Sequence, residues 1–235
     1  MIQKGENIKL TKDEMAEEVL VLLKPDAVIR RGVGAKVIEN LLKNKDLRID
    51  YFGEVQPRRE FVEEHYAQHK ERFFYEWLVR YVSSSPIIVV ILNGQNAINT
   101  VRTLLGSTIP EKAGNNTIRG RFGIFGGINV AHASDSHNNG HLEVNLWKKV
   151  INMQNCNYRT KATEYVKKYL DFPIVEIDKY RQISQLLTDG KINQDNAKKL
   201  IANLLREESD FDDAVIFQFS EIVVQNAVMR EVESK

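Results

Sequence analysis

Between residues 17 and 150, short continuous apolar runs take turns with apolar stripes at helical spacing. VLVLL (19–23) has the length of a buried strand. It stops at Lys24-Pro25-Asp26, a turn signal that leaves a lysine at the strand's carboxyl end. After Gly32 and Gly34, the positions Val33, Val37, Ile38, Leu41 and Leu42 predict a helix. Leu47, Ile49, Tyr51, Gly53 and Val55 alternate as a second strand, which Pro57 ends. REFVEEHYAQHK and FYEWLVRYV predict two short helices before Pro86, and IIVVIL (87–92) predicts a third strand closed by Asn93-Gly94. Asn96 is placed to cap a helix carrying Ala97, Ile98, Val101, Leu104 and Leu105 on one side. Residues 106–127, rich in Gly, Asn, Thr and Pro, read as a long loop of the kind that is functional or disordered. INVA then gives a fourth short strand leading into His132, and a helix to Trp147 closes the unit. The order is a split βαβ pattern with a helical pair inserted, in the α+β class.

Past about residue 160 only helical stripes remain. Ile177, Tyr180, Ile183, Leu186 and Leu187 form one, stopped at Asp189-Gly190 as a C-cap stops a helix. Ala197, Leu200, Ile201, Leu204 and Leu205 form a second. Val215, Ile216, Phe219, Ile222 and Val223 form a third, opened by Asp210, Asp212 and Asp213 at its positive end. The expected organisation is a polar extension over 1–16, a main domain over 17–160 and a helical extension over 165–235. The extension would bury its stripes against itself, the main domain or a neighbouring subunit. DGKI (189–192) lacks the flanking acidic ligands of a calcium loop and reads as a turn.

Charge is nearly balanced, with 33 Lys+Arg against 32 Asp+Glu, so the chain lacks the general basic field of a duplex binder, and no specific nucleic acid is expected. The longest apolar runs, near 19–23 and 86–92, are too short to span a bilayer, and the polar start MIQKGENIKLTKDEMAEE has no signal-peptide pattern. One cysteine, Cys156, suits a reducing compartment. A cytoplasmic protein without a membrane partner is the expectation.

The long loop and its borders hold Arg102, Thr108, Thr117, Arg119 and Asn129, with Lys24 at the end of the first strand. Guanidinium forks, an ammonium and hydroxyls are what a polyphosphate needs, although each residue singly is equally well a solvated surface group. GVGAK (32–36) fits neither a Walker A loop nor GxGxxG, and HExxH and CxxC are absent, which gives a protein-held metal little support. Ser134 and Asp135 do not form a hydrolase triad, because neighbours on an extended strand point to opposite faces and no nucleophile elbow is present.

NVAHASDS (129–136) offers a different chemistry. An isolated histidine is most simply a satisfied structural residue. The alternative is that His132 is itself a nucleophile that accepts a phosphoryl group, since a neutral imidazole is abundant at pH 7. That role needs one ring nitrogen free and the other fixed by an acceptor. Ala131 and Ala133 leave room for approach, and Glu143 on the next helix is a reasonable acceptor.

VLLKPDAV, HYAQHKERFF, LVRYVSSSPIIVVIL, VRTLLGSTIP, TIRGRFG and NVAHASDS stand in the order and spacing of nucleoside diphosphate kinases, which the chain resembles over about residues 17–160. The resemblance implies a ferredoxin-like αβ sandwich with a four-stranded antiparallel sheet, to which the C-terminal helical extension is added. It implies γ-phosphate exchange between nucleoside triphosphates and diphosphates by a ping-pong route, with Mg2+ carried on the nucleotide. By the same resemblance His132 is the phosphorylated nucleophile and Glu143 holds its far nitrogen. Arg102, Thr108 and Arg119 clamp phosphate, while Lys24 and Asn129 contact the ribose and terminal phosphate region. Phe74 stacks on the base beside Leu78, and Tyr66 and Ser134 support the histidine.

Four positions depart from the family pattern. Gly126 stands where a valine-like residue usually packs on the base, Ala133 replaces a glycine, Ile128 an arginine and Arg121 an acidic residue. The family forms homo-oligomers, tetramers or hexamers built from dimers, with the loop at Ile109-Pro110 often at a hexamer centre. Phe73 and Tyr75 read as core residues, and His65, His69, His137 and His141 as surface or packing residues. The alternative function is a catalytically weak nucleotide-binding regulatory or scaffold protein acting through the C-terminal helices. An RNA-binding ferredoxin-like domain is disfavoured, because no RNP-like sequence is present.

Overall fold

The computed structural model describes residues 16–233, so nearly all of the polar 1–16 segment lies outside the described residues. The described residues begin with β1 (Ala16–Leu23), two helices α1 (Pro25–Ile29) and α2 (Arg31–Lys43), and β2 (Arg48–Val55). The helical pair α3 (Arg59–His65) and α4 (Tyr75–Ser83) follows, then β3 (Ile87–Gln95) and α5 (Ala97–Leu105). α6 (Ile118–Phe122), β4 (Ala131–Ala133) and α7 (His137–Lys148) complete this unit. Four more helices follow: α8 (Tyr158–Tyr169), α9 (Ile177–Thr188), α10 (Gln194–Glu208) and α11 (Asp213–Glu233).

The strands form one antiparallel sheet in the order β2-β3-β1-β4, the ferredoxin-like arrangement, with β1 and β3 at its centre. Both central strands are apolar on successive positions because both faces of the sheet are covered: Val19–Leu23 and Ile87–Leu92 are buried without a break. The short β4 pairs with the end of β1, setting His132 opposite Leu22. The catalytic candidate therefore sits beside the carboxyl end of the strand that delivers Lys24.

Several local expectations change. Asn93-Gly94 does not close β3, which continues to Gln95 paired with Ala16. Gly94 instead lets the strand pass the Asp46 carbonyl, which a Cβ would meet at 2.6 Å. Asn96 turns the chain with φ 54° but its side chain caps nothing; Glu17 accepts the Ile98 N–H at 3.1 Å. The 106–127 loop contains a 3-10 turn at Pro110–Lys112 as well as α6. Thr117 is the cap of α6, accepting from the Gly120 N–H at 3.2 Å while its hydroxyl donates to Gly114 at 2.7 Å. α8 has no counterpart in the sequence reading. Its buried face is Tyr158, Ala162, Val166 and Tyr169, aromatic and small residues in place of an aliphatic stripe.

The extension is seated on the main unit. α8 packs across α2 and β2, with Tyr51 against Tyr158 and Phe52 against Tyr165. α11 lies on α4, where the Trp77 indole N–H donates to the Ile222 carbonyl at 3.1 Å. The last turn of α9 closes as expected at Gly190, which has φ 68°, and Asp212 caps the start of α11 through the Val215 N–H at 2.9 Å. Asp210 lies outside that cap and pairs with Arg31.

One polar tie between the two parts is fully buried. Arg30 on the main unit meets Glu208 of α10 at 2.9 Å, and neither side chain is exposed. Glu208 also accepts from the Tyr180 hydroxyl at 2.6 Å and from the Val175 N–H at 2.9 Å. Arg30 donates onward to the Phe122 carbonyl at 2.7 Å. A buried ion pair gains little over an apolar contact, but half of one is costly. Glu208→Ala strands the arginine and is expected to destabilise the protein by about 3–5 kcal/mol, read as a lower urea midpoint. A midpoint within error of the parent would contradict this role.

Candidate active site

β4 enters through an unusual backbone. Val130 has φ 75°, a left-handed conformation that β-branched residues rarely adopt. Its N–H donates to Asp26 Oδ2 at 2.9 Å and its carbonyl accepts from the Lys24 N–H at 2.9 Å. Tyr81 donates its hydroxyl to the other oxygen of Asp26 at 2.6 Å. Burial pushes the Asp26 carboxyl upward, opposed by the Tyr81 hydrogen bond, Arg30 and Lys24. Asp26 was read only as part of a turn; it braces the strand that presents His132.

His132 lies at the wall of a cavity of about 560 Å³. Its Nε2 is 3.0 Å from Glu143 Oε2 on α7, and the Ser134 hydroxyl donates to the same oxygen at 2.6 Å. Ser134 is itself held by the Leu20 N–H at 3.1 Å. A carboxylate can only accept, so Nε2 carries the hydrogen and Nδ1 keeps its lone pair. Nδ1 has no hydrogen-bond partner among the described residues.

The cations converge on the same cavity. Lys24 donates to Asn129 Oδ1 at 2.8 Å, and Asn129 donates to the Thr108 carbonyl at 2.9 Å, so three predicted residues form one chain. Arg119 uses three of its five N–H donors on the carbonyls of Asn129, Gly106 and Ala131, at 3.2, 2.9 and 2.6 Å. Two donors remain for a ligand. Arg102 lines the cavity, and its guanidinium has no hydrogen bond or ion pair among the described residues. Tyr66, Phe74, Leu78 and Glu143 also line it, whereas Ser134 is buried behind it and Thr117 is not part of it. The Tyr66 hydroxyl is buried without a partner.

Two other hollows of comparable size, about 470 and 590 Å³, have no histidine in their walls. Gln68, Asn226 and Met229, which sequence reasoning passed over, also border the main cavity, as do His69, read as a surface or packing residue, and Asp135, set aside as a triad member. Phe73, read as core, is instead 61% exposed and at the cavity rim. His65 is a packing residue, as expected, but its ring stands edge-on to His132 at 4.8 Å and accepts from Trp147 at 3.2 Å. Ile128, in the place of an arginine, is fully buried, and Ala133 pairs with Val21 at the cavity wall.

A family model described as nucleoside diphosphate kinase matches residues 17–152, more than half of the chain. The chain belongs to the nucleoside diphosphate kinase family. A nucleoside diphosphate kinase of Clostridium perfringens is 43% identical over 131 residues, 56% of this chain and 90% of that one. One from Archaeoglobus fulgidus is 43% identical over 131 residues, covering 56% and 85%. Among solved structures, the nucleoside diphosphate kinase of Encephalitozoon cuniculi superposes with a TM-score of 0.55 at 30% identity, covering 64% of this chain and 99% of that one. The family match ends before α8, so the last four helices stand outside it.

Within the cavity two of the cations are held against the cost of burial. Burial, and then the nearby Arg119 guanidinium, lower the Lys24 pKa to about 7 despite Asp26. Burial and Arg102 lower that of Arg119 to about 10. A polyanion in the cavity relieves both by restoring an opposite charge. In the unfolded chain Lys24 binds its proton up to about pH 10.5, but in the fold only up to about 7, so the unfolded state holds more protons between these values. Stability therefore rises with pH across that window. Lys24→Met is expected to gain stability over the parent at pH 6–7, and the gain should shrink by about 1.4 kcal/mol per unit from pH 7 to 9. Parallel urea-unfolding series would show it; a pH-independent difference would contradict the burial of this charge.

Proposed function

We propose that this chain exchanges the γ-phosphate of a nucleoside triphosphate with a nucleoside diphosphate by a ping-pong route through phosphohistidine at His132. The observation that carries the reading is a histidine fixed at Nε2 by Glu143, with Nδ1 unbonded in a cavity bordered by Lys24, Arg102 and Arg119. In this reading the Nδ1 lone pair attacks the γ-phosphorus in line. The N–P bond forms as the bond to the β–γ bridging oxygen breaks, and the electron pair leaves with the nucleoside diphosphate. A second diphosphate then attacks the phosphohistidine with a terminal oxygen and carries the phosphoryl group away. The two half-reactions are the same step run in opposite directions, so one set of residues serves both.

Such a transfer demands alignment and charge neutralisation more than covalent assistance. The Nε2–H to Glu143 hydrogen bond stabilises the positive charge that grows on the ring as Nδ1 bonds phosphorus, and Ser134 keeps that carboxylate in place. Arg102, the two spare donors of Arg119, Lys24 and the Thr108 hydroxyl serve the phosphate oxygens. Asn129 orients the lysine, and the unpartnered Tyr66 hydroxyl is available to the reacting phosphate. Phe74 and Leu78 provide apolar surface for the base.

Mg2+ on the nucleotide would add charge neutralisation across the β- and γ-phosphates. Asp135 fits such a hydrated ion: its carboxylate borders the cavity, and its hydrogen bond from Asn139 at 2.7 Å holds its pKa low. The cluster His65, His132 and Glu143 is spaced within 4.8 Å, close enough to ligate a metal. It does not suit a resident metal here, because His132 must stay free to attack and Glu143 must stay free to accept.

Incubation with γ-labelled ATP is expected to give an acid-labile, alkali-stable label on the protein that ADP or CDP removes. His132→Ala should abolish the label and lower transfer on the order of a thousandfold or more. Undiminished transfer by that variant would overturn the mechanism.

A further inference from the structure

The cavity wall is not built by the family-matched unit alone. Asn226 and Met229, both on α11 of the extension, border the same cavity as His132 and Phe74. They are three residues apart and so share a helix face, and Ile222, one turn earlier on that face, accepts the Trp77 indole N–H. Asn226 is buried and reads the 125–127 turn with both ends of its amide: its Oδ1 accepts from the Gly127 N–H at 3.1 Å, and its Nδ2 donates to the Phe125 carbonyl at 2.8 Å. Gly127 lies so close to Trp77 that an added Cβ would sit 2.6 Å from the indole. This stretch of wall, Gly126-Gly127, therefore presents backbone and no side chain.

Met229 supplies side-chain volume beside it. The residue is half-buried and projects from a helix anchored on α4 by Arg80, which donates to Glu221 and Gln225 at 2.9 Å each. It borders the cavity together with Phe74, Leu78 and Trp77. A flexible, polarisable thioether suits the face or edge of a heteroaromatic ring and discriminates little among rings.

We propose that α11 completes the nucleotide site: Met229 contacts the base, and Asn226 is a positioning residue that fixes the side-chain-free wall against which the base lies. The inference rests on the proposed phosphotransfer reading, because it takes the occupant of the cavity to be a nucleotide. A thioether wall contributes contact area and polarisability without a hydrogen-bond code, so its loss weighs most on the larger bases.

The experiment uses the full-length protein. Met229→Ala should raise KM about three- to tenfold for ADP and GDP, less for CDP and UDP, with the larger part of the effect in KM and not in kcat. Met229→Leu should recover most of the loss, and Asn226→Ala should raise KM for all four. Circular dichroism melting checks that each variant folds. In parallel, wild-type protein irradiated with 8-azido-ATP should carry label on the tryptic peptide 207–230, which contains Met229. Unchanged KM in a folded Met229→Ala protein, or label confined to peptides from residues 17–152, overturns the proposal. Failure of the wild type to form phosphohistidine would instead overturn the underlying reading, and the labelled peptide would still report whether α11 meets the base.

Discussion

One carboxylate oxygen organises this molecule's chemistry. Glu143 Oε2 receives Nε2 of His132 and the hydroxyl of Ser134 at once, and Ser134 is tied in turn to the backbone of β1. Those contacts choose the tautomer and the ring orientation, and they leave Nδ1 unbonded. Were the carboxylate absent, the imidazole could rotate and protonate at either nitrogen, and the cations around it would surround a ring with no defined orientation. The sheet register serves the same end, since the pairing of Leu22 with His132 sets the imidazole beside the strand that ends at Lys24.

Rigidity near that histidine is assembled from distant parts of the chain. Asp26 holds Val130 in a left-handed conformation, Tyr81 holds Asp26, and Arg119 ties the two ends of the long loop to the strand by three carbonyl contacts. The extension reaches the same loop from outside. Arg181 of α9 donates to the carbonyls of Gly120 and Gly123, and Arg30 binds Phe122 on one side and Glu208 on the other. The helices after residue 160 are thus fastened to the segment that carries Arg119, and α11 is fastened to the segment that carries Gly127. The extension is structurally continuous with the site and not merely appended to it. Among the described residues no helix is long and apolar enough to cross a membrane.

The central strands and the helical stripes were legible because burial on both faces leaves continuous apolar runs, and burial on one face leaves a 3.6-residue rhythm. α8 escaped because tyrosines and an alanine do its packing. Asn93-Gly94 misled because a glycine required for close passage beside Asp46 has the same spelling as a hairpin turn. At the site, the motif around His132 and the cationic residues of the loop were readable from type and spacing. Asp26 was not, since its task is to brace a strained backbone from more than a hundred residues away. Asn226 and Met229 were not, because an amide and a thioether within an apolar helical stripe carry no local mark of a cavity. Thr117 shows the converse error: a hydroxyl grouped by sequence with the cationic residues of the loop lies outside the cavity wall and caps α6.

The central claim is that Nδ1 of His132 is the atom that carries phosphate. Protein with 15N-labelled histidine, treated with ATP and compared before and after by 15N and 31P NMR, tests it directly. The account requires a phosphorus-coupled resonance at Nδ1 of this ring, with Nε2 still protonated toward Glu143. Phosphate bonded to Nε2, or an unmodified ring in a protein that continues to exchange phosphate between nucleotides, would contradict it.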